Sequence, residues 1–330
     1  MSSYQAYVTG NDDARIDILS SFSASPNPTT DAPETTGAVI LSGLLDLPTS
    51  PDAPFDPYRS LFSCLLLAHL VRNSEHAKKL AREISVAPSD AEEDDEKVGL
   101  VQLVVGNLMM ASREQTECVN KAAKEGRVEG STEEEDWTRV MVGYLVLLCS
   151  WLWDSPKTVK EFLSESGNLQ VVRHQLSAKL KLIHQLIQPI TQTTGIDPLV
   201  QGLSAFLLGV CYEFNREPGE ITRSTLHPIL HSRIGPDQFV SRMARLREDP
   251  RFKAVQPDAF ENEPPADLPQ EMEEDPEDGL ELWFDWAFVD FWKNHYCKPH
   301  FSRPCSSLMT DTIQRSIAID PDAVRGPACK

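Results

Sequence analysis

Residues 65–84, LLLAHLVRNSEHAKKLAREI, decide how this chain folds. A mostly apolar stretch is followed by the polar pair Asn73-Ser74, and then by a segment whose apolar residues Leu80 and Ile84 are four positions apart. Serine is a residue type whose side chain accepts hydrogen bonds from the unpaired amides at the start of a helix. The pattern therefore predicts two helices joined by a tight, capped turn.

Two further stops of the same kind follow along the chain. Ala111-Ser112 and Asp154-Ser155 each come after a long apolar stretch, and Pro156 stands at a first helical position, where no amide is needed. The three serines are 38 and 43 residues apart, and a period of roughly 40 residues is typical of HEAT and armadillo arrays. The sequence predicts an all-α fold, an armadillo/HEAT-like α-solenoid with disordered acidic loops, and solenoids of this kind present binding surfaces.

Composition narrows the classes of partner. The chain has 330 residues, 41% of them hydrophobic, and a formal net charge of −19. Because phosphate binding needs clustered Lys and Arg, this acidity argues against nucleic acid as a ligand. The longest apolar stretch, 140–153, is shorter than the roughly 20 residues that cross a bilayer. Without a secretory signal at its start, the chain is expected to be cytoplasmic, with no direct membrane insertion.

The sequence divides into one long helical part and two segments of different character. Residues 1–256 are predicted to form the armadillo-like repeats, with 22–57 largely irregular. Residues 257–281 are rich in Pro, Asp and Glu and contain no Lys or Arg. That composition buries too little apolar surface to fold alone, so it predicts a disordered linker. An aromatic helix at 282–296 is expected to close the array.

The aromatic helix carries two sets of large side chains. Helical spacing places one set on a single face, which favours packing in the core. Its members are Phe284, Phe288, Phe291 and Trp292. Trp283, Trp286 and Tyr296 lie off that face. Since aromatic side chains anchor many interfaces, these three are the candidates for a partner surface.

One cluster of residues has side chains that suit zinc: His295, Cys297, His300 and Cys305. Structural zinc sites usually present ligands in pairs, two to four residues apart, with the second pair farther along the chain, and this cluster does not follow that pattern. An accidental cluster is therefore the expectation. We predict no catalytic residue, no cofactor and no metal, and a metal-dependent hydrolase is a remote alternative.

Three segments carry a resemblance to a known family. The first comprises Pro198, Leu199, Val200, Gln201, Gly202, Leu203, Ala205, Leu207, Leu208, Gly209, Phe214 and Asn215. The second comprises Arg233, Ile234, Gly235 and Phe239. The third comprises Phe284, Asp285, Phe288 and Val289. In this order they resemble the C-terminal part of the armadillo-like head of the Uso-type general vesicular transport factors.

The resemblance implies a head fragment of a vesicle tether, which recognises proteins in transport from endoplasmic reticulum to Golgi and in vesicle docking and fusion. Rab-type GTPases, SNAREs and golgins are the implied partners, on Golgi and ER-to-Golgi membranes to which the protein binds peripherally. The full-length form is expected to be a homodimer. An armadillo-type adaptor of another cytosolic pathway is the alternative function.

Family members continue into a coiled coil, so residues 312–330 are expected to begin the region that leads to it. Residues 297–311 interrupt the family's pattern. Their content of Cys, Pro and Ser suits a translated intron, and we interpret them as an unspliced insert.

Overall fold

The protein is built from helices throughout the part of the chain that the structure describes. The computed structural model describes residues 2–23, 34–48, 55–86, 97–126, 132–165, 186–192, 195–257 and 282–296. The helices are α1 (Ser2–Val8), α2 (Asp12–Ser20), α3 (Thr36–Leu45), α4 (Pro57–Val71), α5 (Glu75–Glu83), α6 (Leu100–Glu125), α7 (Thr132–Leu152), α8 (Pro156–Glu165), α9 (186–191), α10 (Pro198–Phe214), α11 (Arg223–Pro228), α12 (Pro236–Glu248), α13 (Pro250–Lys253) and α14 (Trp286–Tyr296). The prediction of an all-α fold is confirmed.

Five helices form a row in which each packs against the next: α3, α4, α7, α10 and α12. A second layer lies beside the row, where α2 packs on α5, α5 on α6, and α6 on α8. Each unit thus buries apolar surface against its neighbours, which is the arrangement of an armadillo-like solenoid.

Two of the three predicted turns join helices as the sequence indicates. Asn73 and Asp154 both adopt left-handed backbone conformations, with φ of 60° and 50°, and these end α4 and α7. Asn and Asp are the side-chain-bearing residues that tolerate this conformation best. The Ser74 hydroxyl accepts a hydrogen bond from the amide of Ala77, and α8 begins at Pro156.

The third predicted turn, at Ala111-Ser112, is wrong. Helix α6 runs without interruption through 26 residues and ends only at Gly126, which has a φ of 65°. The local sequence, MMASREQ, consists of residues that a helix interior accepts at low cost, and it contains no Gly, Pro or Asn to end the helix. Ser112 lies within the helix, where its carbonyl accepts a hydrogen bond from the hydroxyl of Thr116 at 2.7 Å.

Helix α10 lies at the centre of the row. Every residue from Leu199 to Tyr212 is buried, as expected for a helix that is apolar on all sides. Gly202 faces α12 so closely that a Cβ at this position would lie 2.5 Å from the Cβ of Leu246. The apolar helices serve this packing. No helix within the described ranges is both long enough and apolar enough to cross a membrane.

Two short features lie in or beside the segments predicted to be irregular. Helix α3 and the short 3-10 turn Ser21–Ser23 lie at least partly within 22–57, a segment in which the sequence allows a short helix over 38–47. The strands β1 (Ser85–Val86) and β2 (Val98–Gly99) pair antiparallel. The predicted linker, except Pro257, the predicted insert at 297–311 and the predicted start of a coiled-coil region at 312–330 lie outside the described residues.

Candidate protein-interaction surface

The segment 282–296 crosses the row of helices. Its side chains contact His69 in α4, Arg139 in α7, Phe206 in α10 and Phe252 in α13. A helix that closed the array would cover the last repeat alone. This segment instead ties together four helices that are far apart in the chain, and we call it the crossing segment.

The apolar face of the crossing segment is part of the core. The rings of Trp292 and Phe252 are 5.2 Å apart, centroid to centroid, and that of Phe291 meets Trp153 edge-on at 5.4 Å. The four residues predicted to share this face are all buried: Phe284, Phe288, Phe291 and Trp292. The prediction that they pack in the core is confirmed.

The prediction that Trp283 offers a partner surface is wrong. Only 1% of Trp283 is exposed. The guanidinium carbons of Arg139 and Arg251 lie 4.4 and 4.8 Å from its ring, in cation–π contacts. The prediction assumed helical spacing from residue 282 onward. Helix α14 begins only at Trp286, so helical spacing does not determine where the side chain of Trp283 lies.

Trp286 is half-buried and lies at the surface of α14. The ammonium nitrogen of Lys293 lies 5.1 Å from the centre of its ring. Tyr296 is the last residue of α14, and its side chain lies outside the described residues. Of the two proposed partner residues whose side chains the structure describes, Trp283 and Trp286, only Trp286 is accessible.

A buried contact between a carboxylate and a histidine holds the start of the crossing segment on α4. Asp285 Oδ2 lies 2.7 Å from His69 Nε2, and its Oδ1 accepts a hydrogen bond from the amide of Phe288, which caps α14. Burial by itself raises the pKa of Asp285. The close contact with His69 and the charge of Arg72 outweigh burial and keep this pKa below its usual range. The carboxyl is therefore ionised at neutral pH.

A cleft of about 440 Å³ opens between α1, α2, the end of α4 and α14. We call it the arginine cleft. Residues that line it include Gln5, Arg15, Arg72, Trp286, Asp290 and Asn294. Arg15 and Arg72 are both buried, and burial lowers the pKa of both guanidinium groups. The cleft thus combines two buried positive charges with an aromatic wall.

The sequence patterns indicated Trp286, but none of Arg15, His69 and Arg72, as a candidate site residue. His69 lies within an apolar stretch whose pattern indicates packing in the core, and Arg72 follows that stretch directly. Arg15 lies in a short helix near residue 12. A histidine inside the stretch LLLAHLV is the one local signal that a buried polar contact was needed there.

The segments that carry the family resemblance are mostly structural. The side-chain amide of Gln201 donates to the carbonyl of Gln192, and that of Asn215 donates to the carbonyl of Ile221. Gly235 has a φ of 80°, which favours glycine, while Arg233 is exposed. Most of these residues therefore build the array and do not form a contiguous binding surface.

The proposed zinc cluster has one member in the described part of the chain. His295 Nδ1 lies 2.6 Å from the carbonyl oxygen of Phe291, and its ring packs 4.4 Å from that of Trp153. Cys297, His300 and Cys305 lie outside the described residues. Within the described ranges, no three His, Cys, Asp or Glu side chains are grouped so that they could hold a metal ion.

The fold and this surface together define a class of protein. It is an armadillo-like helical scaffold, with an open polar cleft and a half-buried tryptophan on one face. The model of the Uso1/p115-like vesicle tethering protein family, head region, matches residues 1–298. The chain therefore belongs to that family, and the predicted membership in the Uso-type family is confirmed.

Relatives of the chain carry names of the same kind. Intracellular protein transport protein uso1 of Schizosaccharomyces pombe is 26% identical over 212 residues, which is 63% of this chain and 17% of that protein. General vesicular transport factor p115 of Mus musculus is 24% identical over 241 residues, 73% of this chain and 20% of that protein. The chain thus spans about a fifth of the length of these relatives.

A crystal structure of Uso1, Uso1-1, aligns over 91% of this chain and 62% of its own, at 14% identity and a TM-score of 0.36. At that score the alignment adds no argument, and the family assignment rests on the family model.

Proposed function

We propose that this chain is the head part of a vesicle-tethering factor that acts between endoplasmic reticulum and Golgi. The match of the family's head region to residues 1–298 carries the proposal. The names of the relatives, which refer to intracellular protein transport and to vesicular transport, support it. The head acts by recognising proteins, and no chemical step is needed.

The surface around Trp286 and the arginine cleft is where we place partner recognition. A half-buried tryptophan beside a polar cleft combines an aromatic anchor with hydrogen-bonding groups, which are the features of residues that dominate interfaces. The crossing segment holds this surface on four helices, so little conformational entropy is lost on binding. By family resemblance the partners are Rab-type GTPases, SNAREs and golgins. The full-length form is a homodimer, held peripherally on Golgi and ER-to-Golgi membranes.

The proposal is tested by membrane capture. Beads carrying the chain are mixed with vesicles budded from endoplasmic reticulum membranes, and the bound vesicles are counted. We expect the beads that carry the chain to capture more vesicles than bare beads do. Trp286→Ala should lower the affinity for vesicles about tenfold, which is the effect of removing an interface anchor. Leu45→Ala is the control, because Leu45 is an exposed apolar residue of α3 that does not line the cleft.

Capture no better than that of bare beads would overturn the tethering function. If the tagged chain were also diffuse in the cytosol of living cells, with no enrichment at the Golgi, an adaptor of another cytosolic pathway would take its place.

A further inference from the structure

Arg72 carries a buried charge that lacks a direct counter-ion. The residue is 8% exposed, and its Nη2 donates to the hydroxyl of Ser150 at 3.3 Å. Within the described ranges, its Nε has no hydrogen-bond partner, and no carboxylate lies within 4.0 Å of the guanidinium. An unpaired buried donor costs free energy, and an unpaired buried charge costs more.

Arg15 is a second buried arginine that lines the cleft, and its hydrogen bonds also go to neutral acceptors. Its Nε donates to the carbonyl of Val8 at 2.8 Å and its Nη1 to the carbonyl of Arg72 at 3.0 Å, and both acceptors are neutral. The carboxylate of Asp12 lies 3.6 Å away, but 63% of that side chain is exposed to water. Two buried arginines thus line one cleft with little direct neutralisation by carboxylates.

The other charges around the cleft do not fully offset the effect of burial on the charge of Arg72. Asp285 is engaged by His69 and by the amide of Phe288, and Asp290 is exposed on α14. Both carboxylates attract the charge of Arg72, yet burial still lowers its pKa. An anion placed in the cleft would make the charge-assisted hydrogen bonds that the protein itself does not supply.

We propose that the arginine cleft binds an acidic peptide segment of a partner protein, with a carboxylate on Arg72 and Arg15 and a neighbouring apolar side chain against Trp286. This inference rests on the proposed function, because it takes the partner to be a protein, and it adds the chemistry of the segment that the head recognises.

The shape and charge of the cleft favour a peptide carboxylate over a phosphate group. A volume of about 440 Å³ is within the usual range of ligand sites and accommodates side chains of a peptide. Asp290 lines the same cleft and repels a doubly charged phosphate more strongly than a singly charged carboxylate. Trp286 supplies an apolar wall, which a peptide side chain can cover and a free anion cannot.

Fluorescence polarisation with two labelled peptides tests the proposal. The first peptide contains Glu, Asp and Leu, and the second replaces each acid by its amide, Gln or Asn, without changing its shape. We expect the acidic peptide to bind the intact chain at least about tenfold more tightly, since hydrogen bonds to charged groups are the stronger kind. Equal binding of the two peptides would overturn the proposal.

Substitutions at two exposed positions of the cleft should change the affinity for the acidic peptide in opposite directions. Asn294→Asp adds a negative charge to the cleft and should weaken binding of the acidic peptide, while Asp290→Asn removes one and should strengthen it, each by about two- to fivefold. Asn120→Asp and Asp237→Asn make the same changes at exposed sites of α6 and α12 outside the cleft. Effects in the cleft no larger than those of these controls would contradict the proposal.

Arg72→Gln should abolish binding, provided that its circular dichroism spectrum shows a folded chain. Competition then separates a peptide site from a phosphate site. If inorganic phosphate displaced the acidic peptide far better than acetate at equal ionic strength, the cleft would be a phosphate site and the proposal would be wrong.

The two proposals fail in different ways. Suppose that the unmodified chain and Asn294→Asp capture vesicles equally well and that the acidic peptide does not bind. The tethering function would then stand, and this inference would be wrong. Peptide binding without vesicle capture would leave an acidic-peptide site in a protein of another pathway.

Discussion

At the scale of single residues, Asp285 connects the crossing segment to the row through one carboxyl group. One oxygen pairs with His69 and the other caps α14 through the amide of Phe288. Burial opposes ionisation of this carboxyl, but His69 and Arg72 outweigh burial, so the pKa of Asp285 is lowered in the folded state. A lowered pKa stabilises the fold above the unfolded pKa of about 4, and this contribution is lost as the pH falls through the folded value.

Asp285→Asn keeps the shape and the capping acceptor but removes the charge. We expect a free energy of unfolding lower by about 3 kcal/mol at neutral pH, the cost of breaking a buried pair. The difference from the unmodified chain should begin to shrink as the pH falls below the unfolded pKa of about 4, and it should disappear as the pH falls through the lower folded pKa, where the carboxyl of the folded unmodified chain also becomes neutral. Urea titrations of both chains at neutral and acidic pH measure this difference in the free energy of unfolding. Asp17→Asn, at an exposed site of α2, is the control, and a difference independent of pH would contradict this account.

At the scale of elements, a true capped turn and a false one can be compared with the same substitution. Ser74→Ala removes the hydroxyl that caps α5 and should cost about 1 kcal/mol. Ser112→Ala lies inside α6, where alanine is the better helix former, so stability should stay equal or rise slightly. Thermal unfolding followed by circular dichroism distinguishes the two variants. A loss at Ser112 as large as that at Ser74 would mean that α6 is two helices.

At the scale of the whole molecule, the crossing segment makes the row cooperative. Units in a solenoid contact their neighbours only, so such arrays can unfold in parts. Here Trp292 packs against both Phe206 in α10 and Phe252 in α13, while Asp285 pairs with His69 in α4. These contacts join α4, near one end of the row, to α10 and α13 through a single short segment.

We therefore expect the unmodified chain to unfold in one transition in urea, with far-UV circular dichroism and tryptophan fluorescence coincident. Combining Trp292→Ala with Asp285→Ala should separate the two signals into more than one transition. Leu45→Ala combined with Asp17→Ala is the matched control at exposed sites, and it should keep a single transition. Two transitions in the unmodified chain would show that the crossing segment does not couple the row.

Much of the helical architecture follows from short-range patterns in the sequence. The turn at Asn73-Ser74 and the start of α10 at Asp197-Pro198 are local chemistry: a left-handed residue or a capping side chain, followed by helix formers. The same local rule failed at Ser112, because a serine caps a helix only where the backbone before it leaves the helical conformation. Helical spacing likewise predicted the buried face of α14. It did not predict the burial of Trp283, because Trp283 precedes the helix.

The sequence by itself determined the fold class, the family and the acidic character of the molecule, since periodicity, motif order and composition need no coordinates. Only the tertiary structure decided where 282–296 lies, and that it creates the arginine cleft. His69 and Asp285 are more than two hundred residues apart in the chain, and nothing local to either indicates the other. Pairing of buried charges is a long-range effect, set by how α1, α4 and α14 pack together and not by the residues beside each charge.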